Sequence, residues 1–168
     1  MTGLLEEGLV LGELTFDFDS NRHIIAKLPH KDVFKDMFYG VDFGWTNPSC
    51  LLAIGVDGDG RCYVVEEFYK SKVSKENLVK VATQMRDRWG EGTFYCDRSE
   101  PECIEKFVDA GLDAVANKVG REDGLMDVGG RFLDAGDGKP RIFVYSGCIN
   151  LIRELQVYVE NKKVNDHS

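Results

Sequence analysis

No CxxC pair occurs among the five cysteines, and an odd number leaves one without a bridging partner. A zinc ribbon and a disulfide-stapled secreted fold are therefore set aside. Cys50, Cys62, Cys96, Cys103 and Cys148 are expected as reduced thiols, three of them inside apolar runs. The opening stretch MTGLLEEGLV carries two acids where a signal peptide would have a basic segment and a long apolar core, so a reducing cytoplasm is expected. No GxxxxGK[ST] pattern occurs, which removes the P-loop phosphate cradle. Positive charge is also scarce: 21 Lys and Arg stand against 29 Asp and Glu, a net charge of −8. That balance argues against a protein that coats nucleic acid through a broad basic face. It leaves room for clustered carboxylates that gather divalent cations, because the cations supply the local positive field.

What is present fits one α/β domain. At 168 residues the chain is long enough for a proper core and too short for two full domains. Hydrophobic residues at 43% and charged residues at 30% point away from disorder and from a membrane protein. Residues 1–36 read as an extended lead-in, two short β-like runs split by the turn signal DFDSN, with Pro29 after the second. Residues 37–168 read as the domain proper.

Three apolar runs of strand length follow, MFYGVDF, SCLLAIGV and CYVVEEFY, the last two joined by the hairpin signal DGDGR. Three antiparallel strands are expected. Asp57 and Asp59 hint at a calcium loop, but Arg61 falls at its third ligand position and its sixth is no glycine, so turn chemistry is the better reading. SKENLVKVATQMRDRW has Ser74 as an N-cap, with Leu78, Val81, Ala82 and Met85 at helical spacing. The strand GEGTFYCD comes next. A helix between strands is what a parallel crossover needs, so this strand is expected beside the first and running the same way. EPECIEKFVDAGL is a helix opened by Pro101 and closed by Gly111. DAVANKV is a further strand, residues 125–132 a short helix in a glycine-rich stretch, RIFVYS a strand or hairpin arm, and CINLIRELQVYVENKK a last amphipathic helix. The fold class that results is α/β, with a mixed central sheet of three antiparallel and then parallel strands flanked by helices.

That topology places Asp42, in GVDFG, and Asp97, in YCDRS, at the carboxyl ends of neighbouring strands, where open α/β sheets carry their active sites. Strands lie about 4.8 Å apart. Two carboxylates so close repel each other unless a cation lies between them. Mg²⁺ and similar hard cations take oxygen ligands and are often held by one or two carboxylates plus substrate phosphates. The chemistry this suggests is two-metal attack on a phosphodiester. The plain alternative is that each Asp caps a turn, and for Asp97, ahead of a helix start, that alternative is strong.

The stretches YGVDFGWTNPSCLLAIGVDGDGRCYVVEEFY, FYCDRSEPECIEKF and GCINLIRELQVYVENKKVNDHS resemble the C-terminal nuclease domain of phage terminase large subunits, the motors that package and cut concatemeric viral DNA. The lead-in EEGLVLGELTFDFDSNRHII is similar to the segment that joins that family's ATPase domain to its nuclease. The resemblance implies a ribonuclease H-like fold and an acidic cluster binding Mg²⁺ or Mn²⁺, two ions in all. It makes Asp42 the first acid and Asp97 the second. The family's third acid lies in a pattern like DHxxDALRY, which Asp166 and His167 open, so both are candidate ligands; the next acid would fall beyond Ser168, and weak activity of this chain is expected. It further implies double-stranded DNA as substrate, an ATPase domain, portal protein and small terminase subunit as partners, the host cytoplasm as location, and no membrane. Arg98, Lys118 and Arg121, on loops near the same sheet edge, are candidate phosphate contacts.

Two other readings compete. GVDFGWTN also resembles the first phosphate loop of actin-like ATPases and sugar kinases, DxGTTN, and DVGG at 127–130 their second. Against it, Trp45 puts an indole where a small hydroxyl residue belongs, no apolar strand leads into DVGG, and two lobes need about twice the chain. The third reading is a non-catalytic ribonuclease H-like module that docks on a partner protein.

Overall fold

Tyr39 and Phe94 stack face to face, with ring centroids 4.3 Å apart, across two neighbouring strands. They sit at the centre of the larger of two compact units, Leu28–Lys118. The structure, a computed structural model, describes residues 18–117 and 137–166, and side chains of the last helix as far as Val157. The proposed helix at 125–132, the first β-like run, Lys118, Arg121 and His167 lie outside the described residues.

In the larger unit, β2 (Phe34–Asp42), β3 (Ser49–Asp57) and β4 (Cys62–Lys70) form consecutive antiparallel pairs. Helix α2 (Lys75–Trp89) then leads to β5 (Gly92–Cys96), which pairs parallel with β2. Helix α3 (Pro101–Asp109) leads to β6 (Ala114–Ala116), parallel to β5. The strand order is β4-β3-β2-β5-β6. This is the mixed sheet expected from the apolar runs, including the return of the fourth strand beside the first.

Local chemistry explains each boundary. Ser74 caps α2 by accepting the Asn77 N–H, and Leu78, Ala82 and Met85 recur on one face and are buried. The helix ends at Gly90, whose φ of 118° an L side chain rarely adopts. Pro101 occupies the first turn of α3, where a missing N–H costs nothing, and Cys103 and Phe107 turn inward. In the β3–β4 hairpin, one oxygen of Asp57 accepts the N–H groups of Asp59 and Arg61, and the other takes the Tyr63 hydroxyl. Asp57 is thus occupied by turn and hairpin contacts and takes no part in a calcium loop.

The core lies on the face covered by α2 and α3. Tyr39, Val41, Leu51, Ala53, Phe94 and Cys96 from the sheet meet Leu78, Ala82, Met85, Cys103 and Phe107 from the helices. Phe107 packs edge-on against Phe94 at 5.7 Å. The Tyr39 hydroxyl donates to the Gly90 carbonyl at 2.6 Å, and burial pushes its pKa up to about 12. It stays a donor at neutral pH.

The second unit holds the described residues on either side. The DFDSN signal forms a four-residue helix, α1 (Ser20–His23), because Asp19 accepts the Asn21 N–H and starts a helical turn there. It leads into β1 (Ile24–Ile25), which pairs parallel with β7 (Ile142–Tyr145). Helix α4 (Ile149–Asp166) follows, with Leu151 and Leu155 buried. Among the described residues, no helix is long and apolar enough to cross a membrane.

None of the five cysteines is in a disulfide; four are buried and Cys50 is half-buried. Burial raises the Cys96 thiol to about 12 and the Cys103 thiol to about 11. In native protein an aromatic disulfide reagent should therefore react with Cys50 at most, and with all five thiols after denaturation. Phe94→Ala should lower unfolding free energy in urea titration by about 3–5 kcal/mol, because it removes the centre of the aromatic stack.

Candidate active site

Val41 pairs with Cys96 at the last register position of the β2–β5 ladder. Asp42 and Asp97 are the next residue on each chain, so parallel strands bring them side by side at one carboxyl edge. Val41 and Cys96 point into the core, and side chains alternate along a strand. Asp42 and Asp97 are exposed accordingly. On its other side Asp42 pairs with Cys50 of β3, so its backbone is held between two strands. The sequence expectation about these two strand ends is met in register and in exposure.

The turn after Asp42 is closed on itself. Gly44 donates its N–H to the Ser49 hydroxyl oxygen at 3.0 Å, and that hydroxyl donates back to the Gly44 carbonyl at 2.9 Å. A Cβ on Gly44 would lie 2.4 Å from the Asn47 carbonyl oxygen, so only glycine fits. Ser49 is fully buried and satisfied by this pair. A phosphate cradle needs outward N–H groups, and here the glycine's N–H is already spent inward.

Asp97 is bound into the turn before the next helix, the alternative to metal ligation that its sequence context offered. Its Oδ1 accepts the Ser99 N–H at 2.9 Å, which makes it the turn residue before α3. That bond, the Ser99 hydroxyl and the adjacent Arg98 charge hold its carboxyl below the usual carboxylate range, against a smaller opposing effect of burial. The turn bond therefore orients a carboxylate that is ionised at neutral pH, as an outer hydrogen bond orients a metal-ligating carboxylate. The turn bond does not exclude a cation on the same carboxylate.

Lys75, the first residue of α2, links the segments that follow the two acids. Its Nζ lies 4.9 Å from the Phe43 ring centroid, 2.9 Å from Glu102 Oε2 and 3.9 Å from Glu100 Oε2. The Glu102 hydrogen bond is the main cause of its raised pKa. Phe43 follows Asp42 directly, and Glu100 and Glu102 follow Asp97 at the start of α3. Sequence reasoning missed Lys75 and Ser49; the signals were a lysine next to an N-cap serine and a serine five residues after the turn glycine.

Of the candidate phosphate contacts, Arg98 is exposed beside Asp97. Asp166 is the last residue of α4, and its side chain is outside the described set. Among the described residues no group of three or more acids, histidines or cysteines is placed to hold a metal. The two aspartates still suit a hard cation, since exposed carboxylate oxygens at an open edge leave room for water and substrate phosphate as further ligands. An open cavity of about 410 Å³, lined by Lys31, Met37, Trp89 and Gly92 among others, lies at the amino ends of β2 and β5. It is at the opposite edge of the sheet from the acids and takes no part in this site.

No protein-family profile and no curated protein matches the chain. Solved structures do match in fold. The large terminase of the thermophilic bacteriophage D6E superposes with a TM-score of 0.72 at 16% identity, over 96% of this chain and 45% of that one. The nuclease domain of the P22 large terminase gives 0.66 at 16% identity, over 84% and 76%. The nuclease domain of the SPP1 large terminase, solved with bound Mn, gives 0.60 at 18% identity, over 84% and 78%. The chain thus has the α/β, ribonuclease H-like fold of large-terminase nuclease domains, and spans less than half the length of the D6E protein.

The depressed Asp97 pKa makes a signed prediction. Its stabilising contribution is complete above the unfolded value near 4 and is lost as pH falls through the lower folded value. Urea unfolding between pH 2 and 6 should show a shallower acid limb for Asp97→Asn than for wild type.

Proposed function

We propose that the chain is the nuclease part of a large terminase, an endonuclease that cuts concatemeric double-stranded viral DNA with Mg²⁺ or Mn²⁺. The observation that carries this reading is the β2–β5 register, which sets Asp42 beside Asp97 at the carboxyl edge of the central strands. The fold likeness to terminase nuclease domains, and the Mn bound in the SPP1 one, support it.

In this reading Asp42 and Asp97 are the ligands, with Asp166 and His167 as further candidate ligands. Bound divalent cations supply water activation and leaving-oxygen stabilisation in phosphodiester hydrolysis, two ions sharing the work. Asp42 offers its carboxylate from a backbone locked in the sheet. Asp97 offers one pre-turned by Ser99 and ionised across the working pH range. Lys75 keeps the two following segments at fixed spacing while its charge is taken up by Glu100 and Glu102. Arg98, with Lys118 and Arg121, contacts phosphate oxygens, which carry no sequence code, so cutting depends little on base sequence.

The wider assignments rest on the same reading. Residues 1–36 are the joining segment to an ATPase domain, residues 37–168 the nuclease, and the portal protein and small terminase subunit are partners in the host cytoplasm. The phosphate-loop reading is weakened by the inward use of Gly44, and the docking-module reading differs in making no cut.

Supercoiled plasmid incubated with Mn²⁺, Mg²⁺ or EDTA tests the proposal. The expected result is weak nicking and linearisation with metal, none with EDTA, and a loss of roughly 100-fold or more in Asp42→Asn, the scale set by removing one charge-stabilising group. Calorimetric Mn²⁺ titration should show weakened binding in the same variant. A wild-type chain that neither takes up Mn²⁺ nor cuts would overturn the reading.

A further inference from the structure

The acid pair has a neighbour on the same edge that the nuclease reading does not use. Trp45, three residues after Asp42, is 55% exposed. Its position is nonetheless fixed. The closed Gly44–Ser49 pair holds one side of the turn, and the Trp45 carbonyl accepts the Lys72 N–H at 2.8 Å on the other. Lys72 has a φ of 56°, a left-handed conformation that costs a non-glycine residue energy and persists only where its surroundings enforce it. A large apolar side chain is thus offered to water on a doubly anchored turn.

Charge accompanies it. β2 and β4 are both antiparallel to β3, so they run the same way, and Lys70, the last residue of β4, emerges at the edge that carries Asp42 and Asp97. Lys70 and Lys72 are exposed. Among the described residues neither forms an ion pair, whereas Arg61, Lys75, Arg86, Arg88 and Lys106 all do. β4 lies two strands from β2, roughly 10 Å at the usual spacing. One DNA backbone can reach both places at that separation.

We propose that Trp45, Lys70 and Lys72 form a DNA-anchoring surface on the same sheet edge as the acid pair. The indole packs against the deoxyribose of the backbone, and the two ammonium groups contact phosphates. Arg98 lies on the far side of the acids, next to Asp97, so the strand is held on both flanks of the cut. This inference rests on the nuclease reading, and it adds to it the residues that seat the substrate.

The test is binding of a labelled duplex oligonucleotide in EDTA, so that nothing is cut, followed by anisotropy at three salt concentrations. Trp45→Ala should weaken binding about tenfold or more and leave the salt slope unchanged, because apolar packing releases no counterions. Trp45→Phe should retain most of the affinity. The double variant Lys70→Ala/Lys72→Ala should reduce the slope of log K against log salt by about 2. Trp89, whose Nε1 donates to Glu66 Oε1 at 2.9 Å, is the only other tryptophan, so its emission reports that Trp45→Ala is folded. Wild-type emission should change on adding DNA, and that of Trp45→Phe should not. Wild-type affinity and salt slope in Trp45→Ala and the double-lysine variant, or no wild-type binding in EDTA, would overturn the anchor. Mn²⁺ uptake and plasmid cutting by wild type and Asp42→Asn are read separately: if wild type retains both, only the anchor has failed, and if it lacks both, the nuclease reading has failed.

Discussion

A slip of one residue between β2 and β5 would carry Asp42 out of line with Asp97 and turn a whole set of side chains from the core toward water, because alternate residues on a strand face opposite ways. The Tyr39–Phe94 stack guards against that slip. The two rings are register partners, they meet at 4.3 Å, and Phe107 closes on them edge-first. The Tyr39 hydroxyl ties the same pair to the end of α2 through Gly90. A buried aromatic cluster thereby sets the spacing of two exposed carboxylates a few residues along the same strands.

The acids at the carboxyl edge illustrate how position decides the role of one residue type. Asp57 ends β3 at the other edge, and both its oxygens are taken by donors from its own hairpin. Asp97 also accepts a turn bond, but that bond orients an exposed carboxylate beside a second one. An acidic chain of net charge −8 thus keeps some carboxylates for local structure and presents others at a strand end. Its cations are divided likewise: Lys75 is committed to Glu100 and Glu102, while Lys70 and Lys72 remain with water.

The turn between β2 and β3 shows the cost of holding such an edge still. Gly44 is required because the Asn47 carbonyl occupies the space of a side chain, and Ser49 is buried to satisfy both backbone groups of that glycine. A backbone tightened in this way can carry an exposed indole without losing its place. The left-handed φ of Lys72 is compensated by the same network, through its bond to the Trp45 carbonyl.

Much of this was legible in the residues alone. Apolar runs of strand length, the DGDGR turn, the Ser74 cap and Pro101 and Gly111 at the ends of α3 are local signals, and local signals determine strands, turns and helix limits. The single helix between β4 and β5 implied a parallel return, and with it the juxtaposition of Asp42 and Asp97. The short helix in DFDSN escaped, because Asp19 serves equally as a turn residue and as a cap. So did Lys75, Ser49 and the group of Trp45, Lys70 and Lys72, whose members lie up to 52 residues from Asp97 or face each other across a turn. The sequence by itself determined the elements, their order and the two acids, because these depend on neighbours along the chain. Only the tertiary structure decided the strand register, the inward closure of the Gly44 turn and the pairing of each charge, because those depend on which surfaces packing brings together.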